Sequence, residues 1–229
     1  MTLHYEEVVP WGRSFDEYRH MFNLTDAELR LKIIGCADGP ASFNAYLAQR
    51  GQRMVSCDPL YQFTAAQIDS RIDYAYRTVL GQTRANQDQF IWDVIRSPDE
   101  LGAVRLKAMR EFLADYTAGK KEGRYVAAEL PALPFSSASF DLALCSHFLF
   151  LYSDNLSLAF HEQAITAMCR IAKEVRIFPI ITYNSERSPF VEALLPTLER
   201  SGHSLSVESV PYEFQRQGNQ MLRIFPAAH

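Results

Sequence analysis

The sequence predicts an α/β fold: a mostly parallel sheet of seven strands, with a C-terminal antiparallel hairpin and a helical insertion after the second strand. Three observations predict it. Apolar strand-like runs alternate with helix-period segments along the chain. A glycine-bearing turn separates the first strand from its helix, and the last two strand runs are joined only by QRQGN. At 229 residues and 48% hydrophobic content, 1–229 fits one domain with a sizeable insertion better than two independent ones.

The elements follow in order. Residues 14–30 read as helical, because Phe15, Tyr18, Met21 and Phe22 recur at helix spacing and Thr25 to Glu28 forms a capping box that restarts a second helix. The segment 1–30 is therefore an N-terminal helical portion. LKIIGCA (31–37) is a strand ending in a turn, ASFNAYLAQRG (41–51) is a helix closed by Gly51, and RMVSCDP (53–59) is a strand cut off by Pro59. Together they make a β-α-β unit. The region 60–123 is a helical insertion, with apolar residues at helix spacing in AQIDSRIDYAYRTVL and ELGAVRLKAMREFLADY. Strand signals resume at 124–130, 139–151, 172–181, 203–214 and 220–226, with helices at 155–171 and 189–201.

Composition narrows the function. A net charge of -4, with no basic run longer than Lys120-Lys121, gives no electrostatic footprint for a phosphate backbone, so DNA is not an expected partner. The amino terminus lacks a basic start followed by an apolar run, and no stretch approaches bilayer length; the chain reads as soluble and cytoplasmic, with no membrane partner. Cys36, Cys57, Cys145 and Cys169 are scattered without a C-x-x-C pair and read as free buried thiols, with no metal site and no disulfide framework.

A parallel α/β sheet binds ligands beyond the carboxyl ends of its strands, where a glycine turn lets backbone approach the ligand. The turn Gly35-Cys36-Ala37-Asp38-Gly39 falls there. Asp58, at the end of the next strand, follows Gly35 by 23 positions, close to the spacing of about 20 at which a carboxylate reaches a ribose hydroxyl. The plainer reading is a tight β-α turn and a solvated strand end. A third element, AAELPALPFSSASFDLALCS, ends one strand on Glu129 and places LPF and SFD before the next.

G-x-A-x-G, the strand-ending Asp58, E-x-x-x-L-P-F and S-F-D-L-A-L together resemble the class I S-adenosylmethionine-dependent methyltransferases, over about residues 14–182. The small-molecule branch of this Rossmann-like superfamily is the nearest in pattern. WGRSFDEY, GPASFNA and the closing YEFQRQGNQML also resemble an uncharacterised bacterial group called methyltransferases by similarity alone.

The resemblance implies S-adenosylmethionine as cofactor and S-adenosylhomocysteine as product. It implies that the backbone at Gly35, Cys36, Ala37 and Gly39 faces the methionyl part and ribose, that Asp58 accepts from the ribose hydroxyls, and that Pro59 and Leu60 flank adenine. Glu129 would accept from the adenine amine, the Leu130 amide would donate to the ring, and Ser146 and His147 would line the sulfonium and acceptor side. Phe148, Phe150 and Tyr152 either face the cationic sulfonium or pack in the core.

Two positions depart from the pattern. Ile33 replaces the usual acidic residue two before the first glycine, and Ala37 replaces the middle glycine, at little cost if its φ is negative. Asp38 either restores a carboxylate near the methionyl amine or caps the helix starting near Pro40. His147 is either a general base or a hydrogen-bonded structural histidine. Trp11, Arg13, Tyr18 and Tyr61 are the candidate lid residues, with Arg13 a partner for the cofactor carboxylate or an anionic substrate. Tyr74, Tyr76, Phe90 and Trp92 either wall an aromatic pocket or form a dimer contact, so the chain is a monomer or homodimer.

Three functions follow. The first is methyl transfer to a small molecule; the absence of an N-P-P-Y run after SFDLALC favours an oxygen or carbon acceptor. The second is a non-catalytic, regulatory S-adenosylmethionine-binding module. The third, a nicotinamide-dependent oxidoreductase, leaves Glu129 and the LPF and SFD segments unexplained.

Overall fold

The apolar run 33–36 is buried at every position, as a strand covered on both faces requires. In the computed structural model, which describes residues 8–227, this strand, β1 (Ile33–Cys36), lies inside a seven-stranded sheet. Ahead of it, α1 (Phe15–Met21) opens on a capping box in which Ser14 Oγ accepts the Glu17 N–H and the Glu17 carboxylate accepts the Ser14 N–H. The helix stops early because Asn23, at φ 47°, takes the chain out of helical space. The Thr25–Glu28 box forms, yet it opens only one 3-10 turn (Glu28–Arg30), so the expected second helix is a single turn. Residues 1–7 of the N-terminal segment lie outside the described residues.

Helix α2 (Phe43–Gln49) and strand β2 (Met54–Cys57) complete the β-α-β unit, with β1 and β2 parallel from Ile33↔Met54 to Cys36↔Cys57. Region 60–123 is helical: a 3-10 turn (Pro59–Gln62), α3 (Ala65–Ala85) and α4 (Pro98–Lys121). A Thr64–Gln67 capping box starts α3, which buries Ile68, Ile72, Ala75 and Val79 on one stripe. Helix α4 starts with Ser97 as N-cap and Pro98 at its first turn.

Strand β3 (Tyr125–Val126) is shorter than the expected 124–130, because it pairs with β2 only at Ser56↔Tyr125 and Cys57↔Val126. Next come β4 (Leu142–Ser146), α5 (Leu158–Ile171), β5 (Val175–Phe178), α6 (Pro189–Arg200), β6 (Ser204–Ser209) and β7 (Gln220–Phe225). The expected strand 139–151 stops at Ser146, because His147 adopts φ 50° and turns the backbone out of the sheet.

The sheet order is β3-β2-β1-β4-β5-β7-β6, parallel through β5, with β7 antiparallel to both β5 and β6. Alternate strand residues serve opposite layers. Ile34, Ala143, Val175 and Ile177 pack against α5 and α6, whereas Ile33, Met54, Leu142 and Leu144 pack against α1 and α2. Burying each such aliphatic chain contributes roughly 1.5–3 kcal/mol. Cys36 pairs in register with Cys57 on one side and Cys145 on the other, so three thiols form one buried row across the strand ends. Among the described residues, no helix is long and apolar enough to cross a membrane.

Candidate functional site

The turn after β1 is pinned from both sides. Ala37 N–H donates to the Cys57 carbonyl at 2.9 Å, and Gly39 N–H donates to Asp58 Oδ2 at 2.9 Å. Asp58 Oδ1 accepts the Leu60 N–H at 2.8 Å, so its carboxylate both caps the 3-10 turn after β2 and holds the glycine turn. Burial pushes this carboxyl up to about 6; the two N–H donors pull it down and Asp38 adds a smaller upward push. Ala37 has φ 56°, not the negative value at which alanine is cheap, a left-handed conformation costing an L-residue roughly 1–2 kcal/mol. A Cβ on Gly39 would meet only open space, since this face of the turn looks into the cavity.

Asp38 does not cap the following helix, whose N-cap position is Ser42. Its carboxylate folds back over Gly35, where any Cβ would overlap it, and there it accepts from Tyr18 Oη and Ser56 Oγ, both at 2.6 Å. Burial raises its pKa despite the two hydroxyl donors, which lower it. Tyr18 in turn meets the Ser146 hydroxyl, and Ser146 Oγ lies 2.9 Å from His147 Nδ1. Tyr18 Oη–H donates to the Asp38 carboxylate, and Ser146 stands between Tyr18 and His147, so a Ser146 hydroxyl turned toward Tyr18 would accept the His147 Nδ1–H. A proton held on Nδ1 leaves Nε2 with its lone pair. Burial, then Arg13 and Arg105, keep His147 well below the ordinary histidine range, so the ring is neutral at pH 7.

The segment before α1 straps over this constellation. Ser42 N–H donates to the Arg13 carbonyl at 3.0 Å, and Gly12 sits so close to Pro40 that a Cβ would overlap the Pro40 carbonyl oxygen. A cavity of about 1300 Å³ opens beneath, at the carboxyl ends of the strands, larger than the usual ligand pocket of roughly 300–1,000 Å³. Its wall includes Ala37, Asp38, Gly39, Asp58, Pro59, Leu60, Glu129, Leu130, Ser146 and His147, together with Trp11, Arg13 and Tyr18.

Three expected residues lie elsewhere. Gly35 is inside β1 and Cys36 points into the core with the other thiols. Tyr61, expected in a lid, is 1% exposed and donates to the Gly39 carbonyl at 2.7 Å, stacked among Phe112, Tyr116 and Tyr125. It braces the turn from behind because its ring completes that aromatic cluster. Of the core-or-site aromatics, Phe148 lines the cavity while Phe150 is fully buried. Tyr74 is 75% exposed at the cavity edge, and Tyr76 lies 6.1 Å from Trp11.

A smaller chamber of about 90 Å³ shares Val9, Trp11, Arg13 and His147 with the main cavity. Its far wall is Phe90, Phe178, Tyr183, Tyr212 and Phe214. The segment before β7 meets the insertion here, through Ile91 N–H to the Phe214 carbonyl (2.7 Å) and Arg216 N–H to the Gln89 carbonyl (2.9 Å). Sequence reasoning missed Tyr212 and Phe214; their only signal is their place in the YEFQRQGNQML stretch.

The order 3-2-1-4-5 continued by an antiparallel hairpin strand is a Rossmann-like arrangement. The chain belongs to the same family as an uncharacterized protein of Methanocaldococcus jannaschii, to which it is 31% identical over 226 residues, 97% of this chain and 98% of the relative. The sequence matches no protein-family profile. Among solved structures it is similar to the magnesium protoporphyrin IX methyltransferase of Synechocystis with bound S-adenosylmethionine (12% identity, 93% of this chain and 91% of that one, TM-score 0.46). It is also similar to an S-adenosylmethionine-dependent methyltransferase, so described provisionally, of Methanococcus maripaludis (12% identity, 94% and 84%, TM-score 0.47).

Proposed function

We propose that this protein is an S-adenosylmethionine-dependent methyltransferase acting on a small molecule through an oxygen or carbon acceptor, in the cytoplasm. The observation that carries this reading is the placing of a buried, neutral imidazole, His147 with Ser146 Oγ 2.9 Å from its Nδ1, on the wall of the cavity that the pinned glycine turn also lines. The left-handed backbone at His147, which costs of order 1–3 kcal/mol, ends β4 there and turns the residue toward the cavity.

The residues present fit the cofactor. Each Asp58 oxygen accepts one backbone N–H and keeps capacity for a ribose hydroxyl. Glu129, exposed on the cavity wall, would accept from the adenine amine, with Pro59 and Leu60 beside the ring. The turn at Ala37 and Gly39 would face the ribose and methionyl part. When bound, S-adenosylmethionine supplies an electrophilic methyl group, the S–C electron pair remaining on sulfur in S-adenosylhomocysteine. His147 Nε2 would take the acceptor's proton, while Trp11, Arg13 and the rest of the strap would exclude water.

A non-catalytic module would owe its loss of activity to the departures at Ile33 and Ala37. Ile33 packs in the core, and Ala37 retains the left-handed backbone that a glycine would adopt, so the turn's shape is intact.

The test is isothermal titration with S-adenosylmethionine and S-adenosylhomocysteine, with NAD and NADP as controls. Micromolar binding of the adenosyl ligands alone is expected. Binding of a dinucleotide, or of none of the four, would overturn the reading.

A further inference from the structure

The group Arg13, Arg105 and Glu17 carries two cations and one carboxylate under the strap. Glu17 is fully engaged. Its oxygens accept from Arg105, from the Ser14 N–H at 2.9 Å, from the Ser14 hydroxyl at 3.1 Å and from the Tyr212 hydroxyl at 2.9 Å, which uses the roughly four lone-pair sites of a carboxylate. Arg13 is left over. Among the described residues its guanidinium makes one hydrogen bond, to the Trp11 carbonyl at 2.9 Å, has a buried Nε without a partner and forms no ion pair.

Arg13 is half-buried and shares the field of Glu17 with Arg105, so its guanidinium keeps N–H groups that an anion could complete. Arg13 stands where the main cavity meets the smaller chamber, and it lines both. The chamber supplies the rest of a recognition surface: aromatic rings from Phe90, Phe178 and Phe214 on the far side, and His147 at the mouth. Phe90 and Phe214 are stacked on one another at 5.0 Å and both line the chamber, so it has an aromatic wall. At about 90 Å³ the chamber excludes an adenosyl group, and because it shares Val9, Trp11, Arg13 and His147 with the main cavity, a small ring entering it can extend back into that cavity.

We infer that the chamber is the acceptor subsite, and that it takes a small aromatic carboxylate whose acid group pairs with Arg13 while its ring lies against the Phe90–Phe214 wall. The inference rests on the methyltransferase reading and adds the acceptor's chemical class to it. A guanidinium binds a carboxylate bidentately, so it fixes orientation as well as affinity. The acid would be held at one end of the ring, and that anchor would set where the rest of the ring lies relative to His147.

The probes are 4-hydroxybenzoate and the neutral 4-hydroxybenzamide, titrated into the protein saturated with S-adenosylhomocysteine. The acid should bind at least tenfold more tightly than the amide. Arg13→Met should abolish that preference while changing S-adenosylhomocysteine affinity less than threefold. Val79→Phe, which fills the chamber from α3, should remove binding of both probes and leave S-adenosylhomocysteine binding in place. Equal affinity for acid and amide, or a preference that survives Arg13→Met, would overturn the assignment. So would a parallel loss of S-adenosylhomocysteine in Arg13→Met, which would give Arg13 to the cofactor's own carboxylate. Failure of the wild-type protein to bind S-adenosylhomocysteine is a different result: it removes the methyltransferase reading, and the acceptor inference with it.

Discussion

Asp58 holds the glycine turn through the Gly39 N–H, and its titration should be visible. Its folded pKa, about 6, stands above the ordinary 3.8, so protonation favours the folded state; that contribution is complete below pH 3.8 and lost as pH rises through about 6. Ribose recognition has the opposite sign, because only the ionised carboxylate offers full acceptor capacity to two hydroxyls. S-adenosylhomocysteine affinity should therefore fall as pH drops through about 6, and Asp58→Asn should both weaken binding by about 1–3 kcal/mol and flatten the pH profile. Titration calorimetry between pH 5 and 8 checks it, and an unaltered profile in the variant would take Asp58 out of the site. Tyr18 admits a cleaner test than activity. If the hydroxyl chain sets the imidazole tautomer, Tyr18→Phe should mix the Nδ1–H and Nε2–H forms of His147 in nitrogen NMR while S-adenosylhomocysteine affinity stays within about threefold.

At the scale of elements, the strap depends on a single close approach. Gly12 lies against the Pro40 carbonyl, and backbone cannot move aside as a flexible side chain can. Gly12→Ala should cost about 1–3 kcal/mol, read as a lower denaturation midpoint at unchanged slope. The helices and strands that make this frame were legible because their signals are local. The Ile68, Ile72, Ala75, Val79 stripe needs only neighbours in sequence, whereas the Thr25–Glu28 box, also local, opens no more than a 3-10 turn and the boxes at Ser14 and Thr64 come to light only in the structure. Legibility failed where an end is set by something distant. β4 ends at Ser146 because His147 turns toward the cavity and donates its N–H to the Phe178 carbonyl at 2.6 Å, and no periodicity in HFLFLY encodes that. Asp38 was read for its place beside Pro40; its partners, Tyr18 and Ser56, lie 20 and 18 positions away.

Across the whole molecule, Glu17 of α1, Arg105 of α4 and Tyr212 before β7 join three distant stretches of chain. Burial works against the Glu17 charge, but Arg105, Ser14 and Arg13 hold the carboxyl down at about 2. This pair therefore contributes stability above the ordinary value of 4.5 that is lost as pH falls from there toward 2. Arg105→Met alone should destabilise by about 3–5 kcal/mol, since it leaves Glu17 buried without its counter-ion, whereas Arg105→Met with Glu17→Gln should recover most of the loss. Denaturant melts of the four species give the coupling; additive losses would mean that the pair does not act as a unit. This junction was invisible in the sequence because its members are 88 and 195 positions from one another's partner. The site's aromatic wall is assembled in the same way, from the insertion and the stretch before β7.

The row of Cys57, Cys36 and Cys145 lies across the same strand ends that carry the turn and Asp58. All four cysteines are buried, and burial holds Cys145 and Cys169 up at about 12, far from the thiolate that alkylating agents require. Iodoacetamide must then wait for the sheet to open, which makes its reaction a clock for opening. A ligand bound only by the closed form slows that clock by the factor 1 + [L]/Kd, about a hundredfold at 100 times Kd. The protein thus carries an internal, label-free assay: candidate cofactors and acceptors can be ranked by how long they keep three thiols silent, before any product has been identified.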